Sequence, residues 1–271
     1  MVASVLYNSS SITALHVLDI TQSQMAAAQT QLGTGYRVSN ATSNGIVFAI
    51  AQGLRSDLAG IAAVNQQLSN AQGMVRVADT SLTGISNAMA GIQSVVTTLA
   101  DANVSGTART QLLTELSQLT ATVSNYIANT TYSGINLLSA GASNVALISN
   151  YGGAQYTVDA QDMVAAVLSN LTAVTTSTDA QGLLTGGFSS AMSSLGVALN
   201  SLGGDANRIT SQISFNSQLS DAITSSLGSM VDADMSKVAA QLQSLQVRQQ
   251  LATQELSIAN QSPQAILSLF R

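Results

Sequence analysis

Cysteine and tryptophan are absent from this 271-residue chain, and proline, histidine and lysine occur once each. Without cysteine there are no disulfides and no thiolate chemistry. With His16 as the sole histidine, no histidine cluster can hold zinc, and a solvent-facing or lightly buried imidazole is expected instead. Aromatic residues make up only 4%, so a pocket lined with rings is not expected and the core must come from Leu, Ile, Val, Met and Ala. Charged residues make up only 8%, which leaves Ser, Thr, Asn and Gln to wet the surface. The net charge of -5, with Lys237 and seven scattered arginines, provides no basic stripe to neutralise phosphates, so nucleic acid is not an expected partner. The longest uninterrupted apolar run, Gly45 to Ala51, stops at Gln52, far short of the roughly 20 residues that span a bilayer. Membrane insertion is therefore not expected. No Lys or Arg precedes Arg37, and Asn8 to Ser11 break any apolar stretch, so a cleavable secretory signal is not expected either.

What the chain does have is heptad spacing. From Ile61, apolar residues recur in steps of three and four through Val64, Leu68, Ala71, Val75, Ala78, Leu82, Ile85, Met89, Ile92, Val96 and Leu99. Such a seam predicts a helix on the order of 60 Å long. After a break at Asn103 to Thr107 a second seam runs through Leu112, Leu116, Leu119, Val123 and Tyr126. The short connection predicts antiparallel packing. A third seam, from Met192 through Leu195, Leu199, Leu202, Ala206, Ile209, Ile213 and Asn216 to Met230, matches the first in length. Between them, Tyr132 to Phe188 loses the helical period, and Tyr156, Thr157 and Val158 read as a strand fragment of a small hairpin region. A short helix is expected at Ala160 to Leu171.

The two ends keep the spacing but weaken it. Leu15, Leu18, Gln22, Met25, Gln29 and Leu32 form one seam. Met235, Val238, Leu242, Leu245, Gln249, Ala252, Leu256 and Ala259 form the other, its register restarting just after Asp234. Asp232 and Asp234 could be imagined as paired acid/base carboxylates, but they better suit the start of a helix, where acids complement the dipole. Gly33, Gly35, Gly152 and Gly153 lack the spacing and lysine of a phosphate loop and read as turns. Each arm buries too little apolar surface to offset its own ordering entropy, which predicts folding only against a partner.

Several segments carry a family resemblance. Leu32 to Ala41, with Gly33, Gly35, Arg37 and Asn40, resembles the flagellin pattern Leu-Ser-Thr-Gly-x-Arg-Ile-Asn-Ser-Ala, which links a terminal arm to a helical body. Thr130 to Leu138 resembles Thr-x-Phe-Asn-Gly-x-x-Leu-Leu, and Leu202 to Arg208 resembles Leu-Gly-Ala-x-x-Asn-Arg. Ser257 to Arg271 is similar to the flagellin ending Ala-Asn-Gln-x-Pro-Gln-x-Val-Leu-Ser-Leu-Leu-Arg. There are departures. Ser43, Asn44 and Gly45 stand where the family usually has two acids, followed by a Gly-Ile-Val-Phe-Ala run closer to α-proteobacterial relatives. Gln93 to Thr98 replaces an arginine and glutamate patch that an innate immune receptor recognises in many flagellins, implying poor recognition. The variable outer domains of longer flagellins have no room between Asn136 and Met192.

The resemblance implies a mainly α fold: a long antiparallel helical bundle with a small β-hairpin region, its N- and C-terminal helices paired as a coiled coil. The expected divisions are residues 1–42 and 227–271 as the two parts of an inner coiled-coil domain and 43–226 as the bundle, with its β-region at about 132–188. The implied function is structural rather than enzymatic: subunits self-assemble into the extracellular flagellar filament for swimming motility, with no catalytic residues, metal or cofactor. The resemblance also implies export through the flagellar apparatus and contacts with hook-associated proteins, the filament cap and an export chaperone. Expected polymerisation contacts are Leu15, Leu18, Met25, Leu32, Leu242, Leu245, Leu256, Ile266, Leu267, Leu269, Phe270 and Arg271. Two competing readings are a hook-associated junction protein and a helical adhesin or secretion-tip protein. A head-to-tail contact that does not close makes an open helical polymer, which agrees with the first reading.

Overall fold

The structure is a computed structural model that describes the backbone of residues 8–171 and 174–269, and side chains as far as residue 261. Its helices are α1 (Ser9–Thr34), α2 (Gly45–Leu99), α3 (Gly106–Asn129), α4 (Met163–Ala166), α5 (Ser177–Gly182), α6 (Phe188–Val231) and α7 (Met235–Leu269). A two-stranded antiparallel hairpin, β1 (Val145–Ile148) and β2 (Gln155–Val158), pairs Val145 with Val158 and Ile148 with Gln155. The chain forms two compact units, Asp57–Asp221 and Met1–Ser56 with Ala222–Arg271.

In the unit Asp57–Asp221, every position of the first seam from Ile61 to Leu99 is buried. Its helix, α2, is longer than the seam alone indicated: 55 residues, or about 80 Å at 1.5 Å per residue. Asn44 starts it by accepting a hydrogen bond from the Val47 N–H at 3.1 Å. In α3, Leu116 and Val123 are buried as expected, but Ile127 takes the seam position assigned to Tyr126. Tyr126 lies instead over Gly84, where an added Cβ would sit 3.1 Å from its ring. Tyr132 covers Gly73 in the same way, so two tyrosine rings lie where α2 has no side chain.

In α6, Leu195, Leu202, Ile209 and Asn216 are buried, whereas Met192 is exposed and Ala191 faces the core. The Asn216 amide donates to the Asn65 side chain at 3.0 Å and to the Ser149 carbonyl at 3.4 Å, and it accepts from Gln212. A buried, bonded asparagine of this kind fixes the register of α2, α6 and the hairpin.

The hairpin and the short helix fall in the region expected to contain them, although the helix is only one turn followed by a 3₁₀ turn, Leu168–Leu171. The region expected to lack helical period up to Phe188 in fact turns helical at Ser177. A capping box starts α5: Thr176 accepts from the Asp179 N–H, and the Asp179 carboxylate accepts from the Thr176 N–H. These bonds, led by that from the Thr176 backbone, hold the Asp179 carboxyl down at about 2. One π turn, Leu183–Gly187, then joins α5 to α6, and its offset hid the periodicity.

Two helices, Gly45–Leu99 and Ser177–Val231, contain stretches long and apolar enough in composition to cross a bilayer. Counting uninterrupted runs does not find them, because Gln, Ser and Asn interleave the apolar positions.

Candidate functional site

In the unit formed by the chain ends, α1 and α7 pack antiparallel. The inner face of α1 carries Ala14, Leu18, Thr21, Met25 and Ala28, with Ala14, Thr21 and Ala28 fully buried. The facing seam of α7 runs through Val238, Leu242, Leu245, Gln249, Ala252, Leu256 and Ala259. Ala28, Val238 and Leu245 form its tightest cluster, flanked by Met25 and Leu242. At the far end, the Asn8 amide donates to the Ala259 carbonyl at 2.7 Å and the Ser11 hydroxyl to Asn260 at 2.8 Å.

The α7 seam follows the spacing read from sequence except at Met235, which is exposed. On α1 the seam is shifted by one residue at alternate positions. Leu15 is 53% exposed and Leu32 points outward, while Ala14 and Ala28 take the inner places. Leu18 and Met25 are half-buried in the seam. The overlooked signal was a small residue every seventh position, at 14, 21 and 28. The side chains of Ile266, Leu267 and Leu269, and all of Phe270 and Arg271, lie outside the described residues.

Large apolar residues therefore line the outside of this pair: Ile12, Leu15, Val17 and Ile20 on α1, and Val247, Leu251 and Ile258 on α7. A groove of about 340 Å³ lies among them, lined by Val17, Ile20, Thr21, Arg248, Leu251 and Glu255.

Beside the pair, the chain breaks after α1 and after α6 are joined. Gly35 ends α1 in the left-handed region, φ 75°, which its lack of a Cβ permits. The Gly35 carbonyl accepts from the Ala233 N–H at 2.9 Å, and the Val231 carbonyl accepts from the N–H groups of Arg37 at 2.7 Å and Val38 at 3.3 Å. The Arg37 guanidinium donates to the Met230 carbonyl, one of the last carbonyls of α6. Val38 and Val231 are buried beneath, and Arg55 lies 5.8 Å from the centre of the Tyr36 ring. Asn40 caps the next turn, accepting from the Ser43 N–H at 2.9 Å. Asp234 accepts from the Lys237 N–H at 3.0 Å and so caps α7, whereas Asp232 pairs through its backbone with Tyr36.

In the other unit, Tyr156 of β2 meets α6. Its hydroxyl donates to the Asp205 carbonyl at 3.4 Å, and Arg208 stacks 4.3 Å above its ring. Burial pushes the Asp205 carboxyl above the usual carboxylate range and, with the Asp205 charge, raises the Tyr156 phenol. This contact holds the hairpin to the helix. Among the described residues, no group of three or more His, Asp or Glu side chains could hold a metal ion, and His16 is exposed.

The comparisons agree with this geometry. Residues 5–143 match the bacterial flagellin N-terminal helical region and residues 186–270 the bacterial flagellin C-terminal helical region. A flagellin of Brucella melitensis is 34% identical over 99% of both chains. The chain belongs to the bacterial flagellin family. Flagellin FljM of Caulobacter vibrioides is 29% identical over 97% of both chains. Two solved structures share the fold: a Bacillus cereus flagellin, at TM-score 0.52 and 20% identity over 55% of this chain and 88% of that one, and a putative flagellar hook-associated protein from Vibrio parahaemolyticus, at TM-score 0.59 and 13% identity over 70% of this chain and all of that one. The latter likeness is one of fold alone and does not favour the junction-protein reading. As a flagellin, the chain is a structural subunit of the extracellular flagellar filament.

Proposed function

We propose that this flagellin polymerises through its terminal helix pair, residues 1–42 with 227–271, and that residues 43–226 form the bundle that this pair recruits into the filament. The observation that carries the reading is the arrangement of the pair: α1 gives its most buried inner positions to the small residues Ala14, Thr21 and Ala28, while Ile12, Leu15, Leu251 and Ile258 lie outside. Each large aliphatic side chain moved from water into a packed interface contributes about 1.5–3 kcal/mol, so neighbouring copies supply the burial that one copy lacks. Leu15, Leu32, Ile266, Leu267, Leu269, Phe270 and Arg271 are assigned to contacts between subunits. Leu18, Met25, Leu242, Leu245 and Leu256 are assigned to pairing within one subunit. The exposed Ile46 and Ile50 of α2 belong to the same class of surface, covered by neighbouring copies rather than by lipid.

The subunits pass through the flagellar export apparatus before assembling, with an export chaperone, the hook-associated proteins and the filament cap as partners on the way. The test is polymerisation of purified protein, followed by sedimentation and electron microscopy. Leu15→Ser with Leu251→Ser, and separately removal of Gln264–Arg271, should leave helical content of the bundle intact and abolish filaments. Normal filaments from both variants would overturn the proposal.

A further inference from the structure

The inner seam of α1 does not determine its own alignment. Sliding α1 by seven residues exchanges Ala14, Thr21 and Ala28 with one another and Leu18 with Met25. Small residues replace small ones, and leucine and methionine are close in volume, so packing is nearly unchanged over the heptads that stay paired. Nor does the buried Thr21 set the position. Its hydroxyl donates to the Val17 carbonyl at 2.7 Å, inside its own helix, unlike a seam asparagine that bonds across to a partner.

Two places can fix the alignment. One is the far end, where Asn8 and Ser11 reach Ala259 and Asn260 with side chains alone. The other is the junction of the two chain breaks, where three backbone N–H groups, of Arg37, Val38 and Ala233, are bonded across the breaks and the Arg37 guanidinium caps Met230. Val38 and Val231 are buried at its centre, so a slip of one heptad would leave the Val38 N–H and the Val231 carbonyl without their partners where water has little access, although Arg37 and Ala233 lie nearer the surface. The far-end bonds are side-chain contacts that a slip would return to water.

We propose that this junction is a register clasp: the backbone pairing of Gly35–Val38 with Val231–Ala233, locked by Arg37, sets which heptad of α1 faces which heptad of α7. The seam supplies adhesion without alignment. Arg37 is then a positioning residue, acting on helices it does not itself join. The inference rests on the α1–α7 pair but not on the assignment of its outer face to subunit contacts.

Because the chain contains no cysteine, disulfide capture tests this directly. Ala28 clusters with Leu245, and Thr21, one heptad earlier, lines the groove with Ala252. Ala28→Cys is therefore combined in the full chain with Leu245→Cys, reporting the native alignment, or with Ala252→Cys, reporting the slipped one. Both pairs are oxidised in dilute monomer and in polymer. The otherwise unaltered chain should favour the first pair by about tenfold or more, as expected for losing several backbone hydrogen bonds on slipping. Arg37→Ala combined with Ala233→Pro, which removes the guanidinium and one N–H, should erase that preference, whereas Asn8→Ala with Ser11→Ala should retain it.

A second variant reads the same property without weakening the junction: deletion of Leu15–Thr21, one heptad of α1. A register counted from the clasp keeps Ala28→Cys joined to Leu245→Cys. A register counted from the far end moves it to Ala252→Cys. Capture at Ala252→Cys in the deletion, or an unchanged preference after the junction is broken, would overturn the proposal. Capture of neither pair in the unaltered chain would overturn the terminal pairing itself, a result distinct from loss of filaments in the outer-face variants.

Discussion

Gly73 is where packing and helix propensity pull in opposite directions, which makes its replacement a sensitive test of the bundle. In an exposed helix interior, exchanging glycine for alanine stabilises by about 0.5–1 kcal/mol. Gly196 of α6, with no atom within 4 Å of an added Cβ, should show that gain. At Gly73 the same Cβ would sit 3.0 Å from both Cζ and Oη of Tyr132. The backbone behind the ring is held, so the ring can yield only by tilting about its own side-chain bonds: the Tyr132 N–H donates to the Ile135 carbonyl at 2.9 Å and the Ile135 N–H donates back at 3.0 Å, across a turn with Ser133 at φ 51° and Gly134 at φ 81°. Overpacking of this kind costs about 1–3 kcal/mol, so after the propensity gain a net loss of about 1 kcal/mol remains. Gly73→Ala and Gly196→Ala should thus differ by about 2 kcal/mol. At about 2–4 °C per kcal/mol for a unit of this size, thermal melts followed by circular dichroism should move in opposite directions. In a Tyr132→Ala background the penalty should vanish and the two alanine variants should converge. If Gly73→Ala raises the Tm as much as Gly196→Ala while Tyr132 is present, the ring does not lie where the reasoning puts it.

Three further outcomes can be checked in the same assay. Asn216→Ala removes the bonds to Asn65 and Ser149 in a buried place and should cost about 1–3 kcal/mol, with hydrogen exchange rising first at the hairpin. Ser133→Asn places a residue that tolerates the left-handed region at φ 51°, so it should raise the Tm by an amount equivalent to about 0.5–1 kcal/mol; no change would mean that the turn is not strained. Burial raises the Asp205 carboxyl above its unfolded value, with the Asp159 charge adding to this and Arg208 and the Tyr156 hydroxyl opposing it. Its contribution is therefore complete below the ordinary carboxylate range, about pH 4, and is lost as pH rises through the folded value. Asp205→Asn should remove that part of the decline, seen as a wild-type minus variant Tm difference that grows more negative with pH.

The strength of the apolar signal decided what could be read in advance. The α2 seam was legible at every position because large aliphatic residues occupy each step and nothing competes for its inner face. The break before Met235 was legible because Asp234 interrupts a seam and also suits a cap, and it serves as one. Tyr126 was misplaced because a bare heptad count gives no weight to glycine on the opposing helix: Gly84 offers a tyrosine ring a seat that a core position does not. Helix α5 was missed because five residues of π turn shift the phase between Ser177 and Phe188. Arg37 was recognised as part of a pattern, but its task could not be, since Met230 lies 193 residues away along the chain.

The one-residue shift on α1 has a different origin. A seam search assigns the larger aliphatic residues to the inside, which is the correct ordering for a helix whose only dry neighbour belongs to its own chain. Here Ala14, Thr21 and Ala28 face inward while Ile12, Leu15 and Ile20 face outward. With small residues at the contact the two helices can approach closely, but each small residue buries far less apolar area than the leucine or isoleucine left outside. For a solitary chain this ordering is the poorer one. It becomes the better one when both faces are dry at once, the inner against α7 and the outer against further copies, because the large residues then fill the wider spaces between pairs. Under the proposed assembly that condition is met only once subunits have joined, which would give the misreading of α1 and the polymerisation of the chain one cause. Replacing Ala14 and Ala28 with leucine tests this: the isolated chain should gain α1–α7 helicity by circular dichroism while losing the capacity to polymerise. A variant that gains both would show that the small inner seam has no part in assembly.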